Sequence, residues 1–283
     1  MKQSGMILEG GAMRSVFEAG VLDFFMEKGI EISNILAVSA GAYAGMNYVS
    51  GQKGRMVDAV IKPLEQNKYI GFSTFLRKGT FFDMDYFFEK IPKFLSPFDF
   101  ENFKNSAKRF LINTVDCNTG KDVYYEKFDT EENFWKLCRA ANSLPFISRI
   151  SQIDGRPMMD GGLSEAIPIV KALEEGWEKI IVILTRKSDY RKKNRYFYMF
   201  MMHVIYHKYP ELIKTVAGRA KRYNESLDMI DRLEKEGKAL VLRPTEMAIR
   251  NQEADVDTLM RYYQHGYDTA KEKEAEIRDF LYV

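Results

Sequence analysis

Ile35-Leu36-Ala37-Val38-Ser39-Ala40-Gly41 runs from an apolar strand pattern into a helix, with a serine at the junction and small residues on either side. Ala40 to Val49 continues as a helix rich in small residues, suited to close packing on a sheet. The same plan stands upstream. Met6 to Leu8 reads as a strand, a Gly-rich turn follows, and Val16, Ala19, Val21, Leu22, Phe25 and Met26 recur at helical spacing before Gly29 stops that helix. Further strands are expected at Phe110 to Val115, Val123 to Tyr125, Ile180 to Leu184 and Leu240 to Leu242. Helices are expected near 131–141, 165–175, 196–234 and 255–280. Strands alternating with helices predict an α/β protein on a mostly parallel sheet. With no internal repeat or low-complexity linker, residues 1–283 are expected to form one domain, with a motif-bearing core at about 5–185 and a helical C-terminal region at about 196–283.

Three segments can carry chemistry. Small residues flanking Ser39 meet the steric demand of a nucleophile elbow, a sharp turn that lifts a serine Oγ above a sheet. Ala37 stands where the usual Gly-x-Ser-x-Gly spelling has its first glycine, and a buried or helix-capping serine is the competing reading. Glu9-Gly10-Gly11-Ala12-Met13-Arg14-Ser15 also joins a strand to a helix. Its converging N–H groups suit an oxyanion hole, or a phosphate cradle whose later glycines are replaced by Ala12 and Ser15. Met158-Met159-Asp160-Gly161-Gly162 follows a hairpin with Asp154-Gly155 at its tip; it reads as an ordinary turn or as an aspartate left open to a close neighbour. The three histidines, His203, His207 and His265, all fall in helical stretches far downstream, so a Ser-Asp dyad fits better than a Ser-His-Asp triad.

In this order the three segments resemble the patatin-like phospholipase family: a Gly-Gly-Gly-x-Arg/Lys-Gly loop, then Gly-x-Ser-x-Gly, then Asp-Gly-Gly/Ala. Ala140-Ala141-Asn142-Ser143-Leu144-Pro145-Phe146 is similar to the family's Ala-Ser-x-x-x-Pro stretch. The resemblance implies a three-layer α/β/α sandwich and hydrolysis of lipid acyl esters without metal or cofactor. It assigns Ser39 as nucleophile, Asp160 as base, and Gly10, Gly11 and Ala12 as the oxyanion hole. Ala12, Ser15 and Ala37 depart from the pattern, each by a small residue. Ala12 and Ala37 favour the alternative of a lipid-binding or interaction protein that keeps the fold without catalysis.

With 42 basic and 40 acidic residues the formal charge is +2, which excludes a global electrostatic case for nucleic acid. The first nine residues lack a secretory h-region, so a cytoplasmic protein is expected. Cys117 and Cys138 read as buried thiols, and His203 with His207 lacks a third ligand at metal spacing. Between Tyr69 and Phe103 fall 12 of the 38 aromatic residues, a density that suits either an acyl-pocket wall or a satellite core. Arg186 to Arg195 holds six basic residues and one acidic, and leads into Tyr196-Phe197-Tyr198-Met199-Phe200-Met201-Met202. Such an edge suits peripheral contact with anionic lipid, or simply a solvated loop leading into a core helix. Oligomeric state has no signature in the sequence.

Overall fold

The computed structural model describes residues 3–66, 69, 72–80, 82–126 and 130–282, the side chains of 66, 72, 73 and 78 excepted. Of the aromatic-rich stretch, Phe81 and the side chain of Phe72 therefore lie outside the described residues. Eight strands form one sheet: β1 (Ser4–Leu8), β2 (Asn34–Val38), β3 (Arg109–Asp116), β4 (Asp122–Tyr125), β5 (Ser151–Ile153), β6 (Arg156–Asp160), β7 (Lys179–Ile183) and β8 (Ala239–Leu242). Their order is β5-β6-β3-β2-β1-β7-β8, with β4 also paired to β3. The five strands from β3 to β8 run parallel, while β4, β5 and β6 add an antiparallel end.

Past their first residues, β1, β2 and β7 carry no polar side chain and are buried throughout because both faces of the sheet are covered. Met6, Leu8, Ile35, Ala37, Ile112, Ile181 and Ile183 face one core; Ile7, Leu36, Leu111, Ile180 and Val182 face the other. Helices α1 (Val16–Lys28) and α2 (Ala40–Val49) cover the first face. Short helices α3 (Pro63–Gln66), α4 (Phe72–Lys78) and α5 (Phe100–Asn105) and two π-helical stretches, Val57–Ile61 and Tyr86–Leu95, lie along the chain before β3. They precede α6 (Glu131–Ala141) and α7 (Ile169–Glu174). The C-terminal region is helical: α8 (Tyr196–Ile205), α9 (Pro210–Lys235), α10 (Val256–Glu272) and α11 (Glu274–Tyr282). Helix on sheet on helix is thus the layering that the parallel pattern implies.

Two expected helices are divided. The run 196–234 breaks between Ile205 and Pro210, because proline has no N–H to continue a helix and sits at the first turn of α9 instead. The run 255–280 breaks at Lys273, which caps α10 before α11 begins.

Helix α1 is buried from Val16 to Phe25, a pattern found when a helix is covered on all sides. Its outer cover is α10, and the crossing depends on two glycines. A Cβ on Gly20 would stand 2.0 Å from the Tyr263 carbonyl oxygen, and one on Gly266 would stand 2.0 Å from that of Phe17. Both obstacles are backbone, so neither can rotate away. Gly266→Ala is therefore expected to destabilise the protein by about 3 kcal/mol or more. An unchanged denaturation midpoint would show that the helices do not cross this closely.

Candidate active site

Strand β2 ends at Val38, opposite Asn113 of β3, and Ser39 turns the chain with φ 57° and ψ −130° before α2 begins. A left-handed φ costs an L-residue roughly 1–2 kcal/mol, and strain of this kind at a strand-to-helix turn is what exposes an elbow nucleophile. Only glycine fits two places on: a Cβ on Gly41 would lie 2.8 Å from the Glu9 carbonyl oxygen. Ala37 causes no such conflict. Its methyl is fully buried in the apolar core, between partners Leu8 and Ile112 in the sheet, and does not enter the turn.

Sheet register places Asp160 beside Ser39. Ile112 and Asn113 pair with β2 on one edge and β4 on the other, whereas Thr114 and Val115 pair with β4 and β6. Strand β6 therefore takes over the edge of β3 at the point where β2 leaves it. Asp160, opposite Thr114, stands one position beyond the Val38 and Asn113 pair. The Asp160 N–H donates to the Ser143 carbonyl at 2.9 Å, so the Ala140 to Phe146 segment fixes the end of the strand. Next, the Gly162 N–H donates to Asp160 Oδ1 at 2.7 Å. Gly161 is obligatory here, because a Cβ would come within 2.7 Å of the Asn113 backbone carbonyl carbon.

Asp160 is 1% exposed and Ser39 8%. Burial pushes the Asp160 carboxyl up to about 6; the facing Ser39 hydroxyl, the Gly162 N–H and the charges of Arg219 and Lys192 hold it from rising further. A carboxylate tuned to this range can accept a proton from a neighbouring hydroxyl near neutral pH.

The glycine loop lies against this pair. A Cβ on Gly10 would be 3.0 Å from the Ser39 Cβ, and one on Gly11 would be 2.8 Å from Thr185 Oγ1. Gly10 turns its own N–H towards the Ala166 carbonyl at 3.4 Å. This narrows the donors of the loop to Gly11 and Ala12, whose N–H groups have no loop or turn partner among the described residues. Glu9 anchors the loop: its carboxylate accepts the Thr185 N–H at 2.6 Å, the Thr185 hydroxyl at 3.0 Å and the Tyr223 hydroxyl at 2.7 Å.

Ala12 has φ 50°, a conformation glycine adopts without cost. Ala12→Gly removes roughly 1–2 kcal/mol of strain and adds about 0.4–1 kcal/mol of unfolded-chain entropy. The variant is thus expected to gain on the order of 0.5–1 kcal/mol in a denaturant titration. A loss of stability would contradict the left-handed turn.

From Ser39 an apolar pocket of about 90 Å³ opens, walled by Met13, Val16, Tyr43, Met56, Val60, Phe82, Met84, Phe87, Leu144 and Ile147. The aromatic-rich stretch divides in two. Phe82 and Phe87 line this pocket, while Phe98, Phe100 and Phe103 pack on Phe134 as core. Asn251 and Gln252 also border the pocket, and the Asn251 carbonyl accepts the Met13 N–H at 3.3 Å. No pattern in the sequence marks these two, nor Arg219 beside Asp160. His203 Nδ1 contacts the Met199 carbonyl within α8, whereas His207, expected in a helix, lies in the turn after α8 with its Nδ1 on the Val204 carbonyl; Cys117 and Cys138 are buried free thiols.

Residues 209–282 match a domain of unknown function (DUF6363). The "Uncharacterized protein YjjU" of Escherichia coli strain K12 is 27% identical over 191 residues, which is 65% of this chain and 52% of that protein. The chain thus spans about half the length of this curated relative. A crystal structure of VipD from Legionella pneumophila aligns with 98% of this chain and 67% of its own, at 11% identity and a TM-score of 0.48. Residues 6–173, well over half of the chain, match the model of the patatin-like phospholipase family, and the protein belongs to that family.

Proposed function

We propose that the chain is a serine acyl hydrolase, phospholipase A-like, that cleaves lipid acyl esters through a Ser39–Asp160 dyad, with residues 1–283 acting as one unit. The observation that carries this reading is the register of β6, which sets a buried carboxylate beside a strained serine at the mouth of an apolar pocket. Ser39 Oγ attacks the ester carbonyl as Asp160 takes its proton. The Gly11 and Ala12 N–H groups hold the oxyanion, and Gly10 gives the loop its close approach to Ser39. Asp160 returns the proton to the leaving alcohol, then draws one from water as its oxygen attacks the acyl carbonyl, and passes that proton to Ser39 Oγ as the C–Oγ bond breaks and the acid departs. Fatty acid release from a panel of phospholipid, monoacylglycerol and short-chain esters tests it; a folded protein that releases no acid from any of them would contradict it. That outcome would favour a non-catalytic lipid-binding protein, the reading that the left-handed Ala12 supports.

Among the described residues no helix is long and apolar enough to cross a membrane. Helix α8 suggests a shallower contact. Met202 anchors it in a core, while Tyr196, Phe197 and Phe200 are 88%, 77% and 62% exposed, directly after the basic 186–195 segment. We propose that this corner rests on anionic lipid. Phe197→Ser with Phe200→Ser is expected to weaken co-sedimentation with phosphatidylglycerol vesicles by roughly tenfold, and neutralising Lys193 and Arg195 to weaken it further at low salt. Binding insensitive to both changes would remove the proposal.

A further inference from the structure

The apolar pocket at Ser39 is short and ends against a buried charge. A cavity of about 150 Å³ takes the six carbons of benzene, so one of about 90 Å³ takes about four. Of the residues that line it, Asn251 and Gln252 are exposed and Ile147 is half-buried, which marks the mouth. Tyr43, Val60 and Phe87 are buried and mark the floor. Tyr43 follows Ser39 by one turn of α2. The Phe87 ring lies against it with centres 4.5 Å apart, and is backed in turn by Phe88 at 5.1 Å and Tyr69 at 5.7 Å. Tyr69 is itself fixed, since its hydroxyl donates to the Val60 carbonyl at 2.6 Å.

Behind Tyr43 stands Arg55, 3% exposed. Its Nη1 donates to Asn47 Oδ1 at 3.0 Å and to the Tyr43 hydroxyl at 3.4 Å, and its Nη2 donates to the Ser96 carbonyl at 2.9 Å. The guanidinium also lies over the rings of Tyr43 and Phe98, 5.6 Å and 5.1 Å from their centres. These partners are all neutral, and the buried Nε has none among the described residues. A chain pushed past Tyr43 would lay methylenes on a desolvated cation and take one of its few hydrogen bonds, which costs more than burying those methylenes gains. Tyr43 is thus held in place from behind, as Phe87 is by its aromatic neighbours.

We infer that Tyr43, seated on Arg55, and Phe87 form a stop for the acyl chain, and that the site takes esters of short acyl groups in preference to long ones. The inference rests on the hydrolase reading and names the acyl group of its substrate. With the carbonyl carbon held at Ser39 Oγ, outside the volume of the pocket, the groups that fit have about four to six carbons. The two residues stop the chain in different ways. Tyr43 guards a polar floor, whereas Phe87 fills space that its apolar neighbours Tyr69 and Phe88 would leave usable to a longer chain.

The test compares p-nitrophenyl esters from acetate to dodecanoate below their micelle concentrations. For the wild type kcat/KM is expected to peak at about four to six carbons and to fall at least about tenfold by the dodecanoate. Phe87→Ala is expected to move the peak up by about two to four carbons, and the milder Phe87→Leu to move it in the same direction by fewer. Binding without turnover is read from the Ser39→Ala protein and a series of ethyl esters. Affinity is expected to rise about fourfold per added methylene until about the sixth carbon and then to stay level. A wild-type kcat/KM that climbs steadily to the dodecanoate, or a peak unmoved in a folded Phe87 variant, would overturn the stop. So would an affinity that keeps rising to the longest ester. A wild type that releases no acid from any ester, with affinities in Ser39→Ala that level off as expected, would keep the stop and lose the hydrolase reading.

Discussion

Ser39→Ala is expected to lower ester turnover by on the order of 10⁴-fold or more, to the level that pocket and oxyanion donors supply on their own. Its effect on folding is expected to stay within about 1 kcal/mol. The hydroxyl is small and lies at the mouth of a pocket, and alanine takes the same left-handed turn at similar cost. Loss of activity with an unchanged melt is therefore the signature of chemistry. Loss of both would make Ser39 a structural residue.

Asp160→Asn is expected to reduce turnover by roughly 10³ to 10⁴-fold and at the same time to stabilise the protein. The two effects share one cause. Burial raises the carboxyl from 3.8 to about 6, so holding it ionised inside the fold costs on the order of 3 kcal/mol. Between those two values the folded state keeps a proton that the unfolded chain has released, and stability from this group falls as pH rises. Asparagine is neutral throughout, and its side-chain oxygen still accepts the Gly162 N–H. A rise in Tm of several degrees at pH 7, shrinking towards pH 4, is the expected result. In the wild type the base must be ionised to work, so kcat/KM is expected to climb through pH about 6. A flat profile from pH 5 to 8 would argue against Asp160 as the base, and a destabilised Asp160→Asn would argue that its burial is compensated elsewhere.

Much of this arrangement was legible because it is local. The strand-to-helix junctions at Leu8 to Ser15 and Val38 to Gly41 announce themselves by apolar runs that end in small residues, and the structure has a tight turn at each. Asp160 was legible as a turn aspartate beside glycines and, through the family resemblance, as a base; what sets it next to Ser39 is the exchange of β2 for β6 along β3, two pairings that span 75 and 46 positions. Periodicity along one segment carries no trace of such a partner. The division of the 196–234 helix was readable at Pro210, but the continuous aromatic and methionine run before it extends the helical pattern across the break. Gly20 and Gly266 were silent for a different reason: a helical glycine costs about 1 kcal/mol whether or not another helix crosses it. Arg219, Asn251 and Gln252 sit on common surface residue types in a segment without motifs, and only their packing against the site distinguishes them.

The central claim, that Ser39 is a nucleophile activated by Asp160, is tested most directly by a fluorophosphonate probe, which bonds covalently to an activated serine. Labelling of the wild type that maps to Ser39, vanishes in Ser39→Ala and slows sharply in Asp160→Asn is the expected result. A folded wild type that stays unlabelled by short and detergent-dispersed probes, or that labels equally well without Asp160, would contradict it.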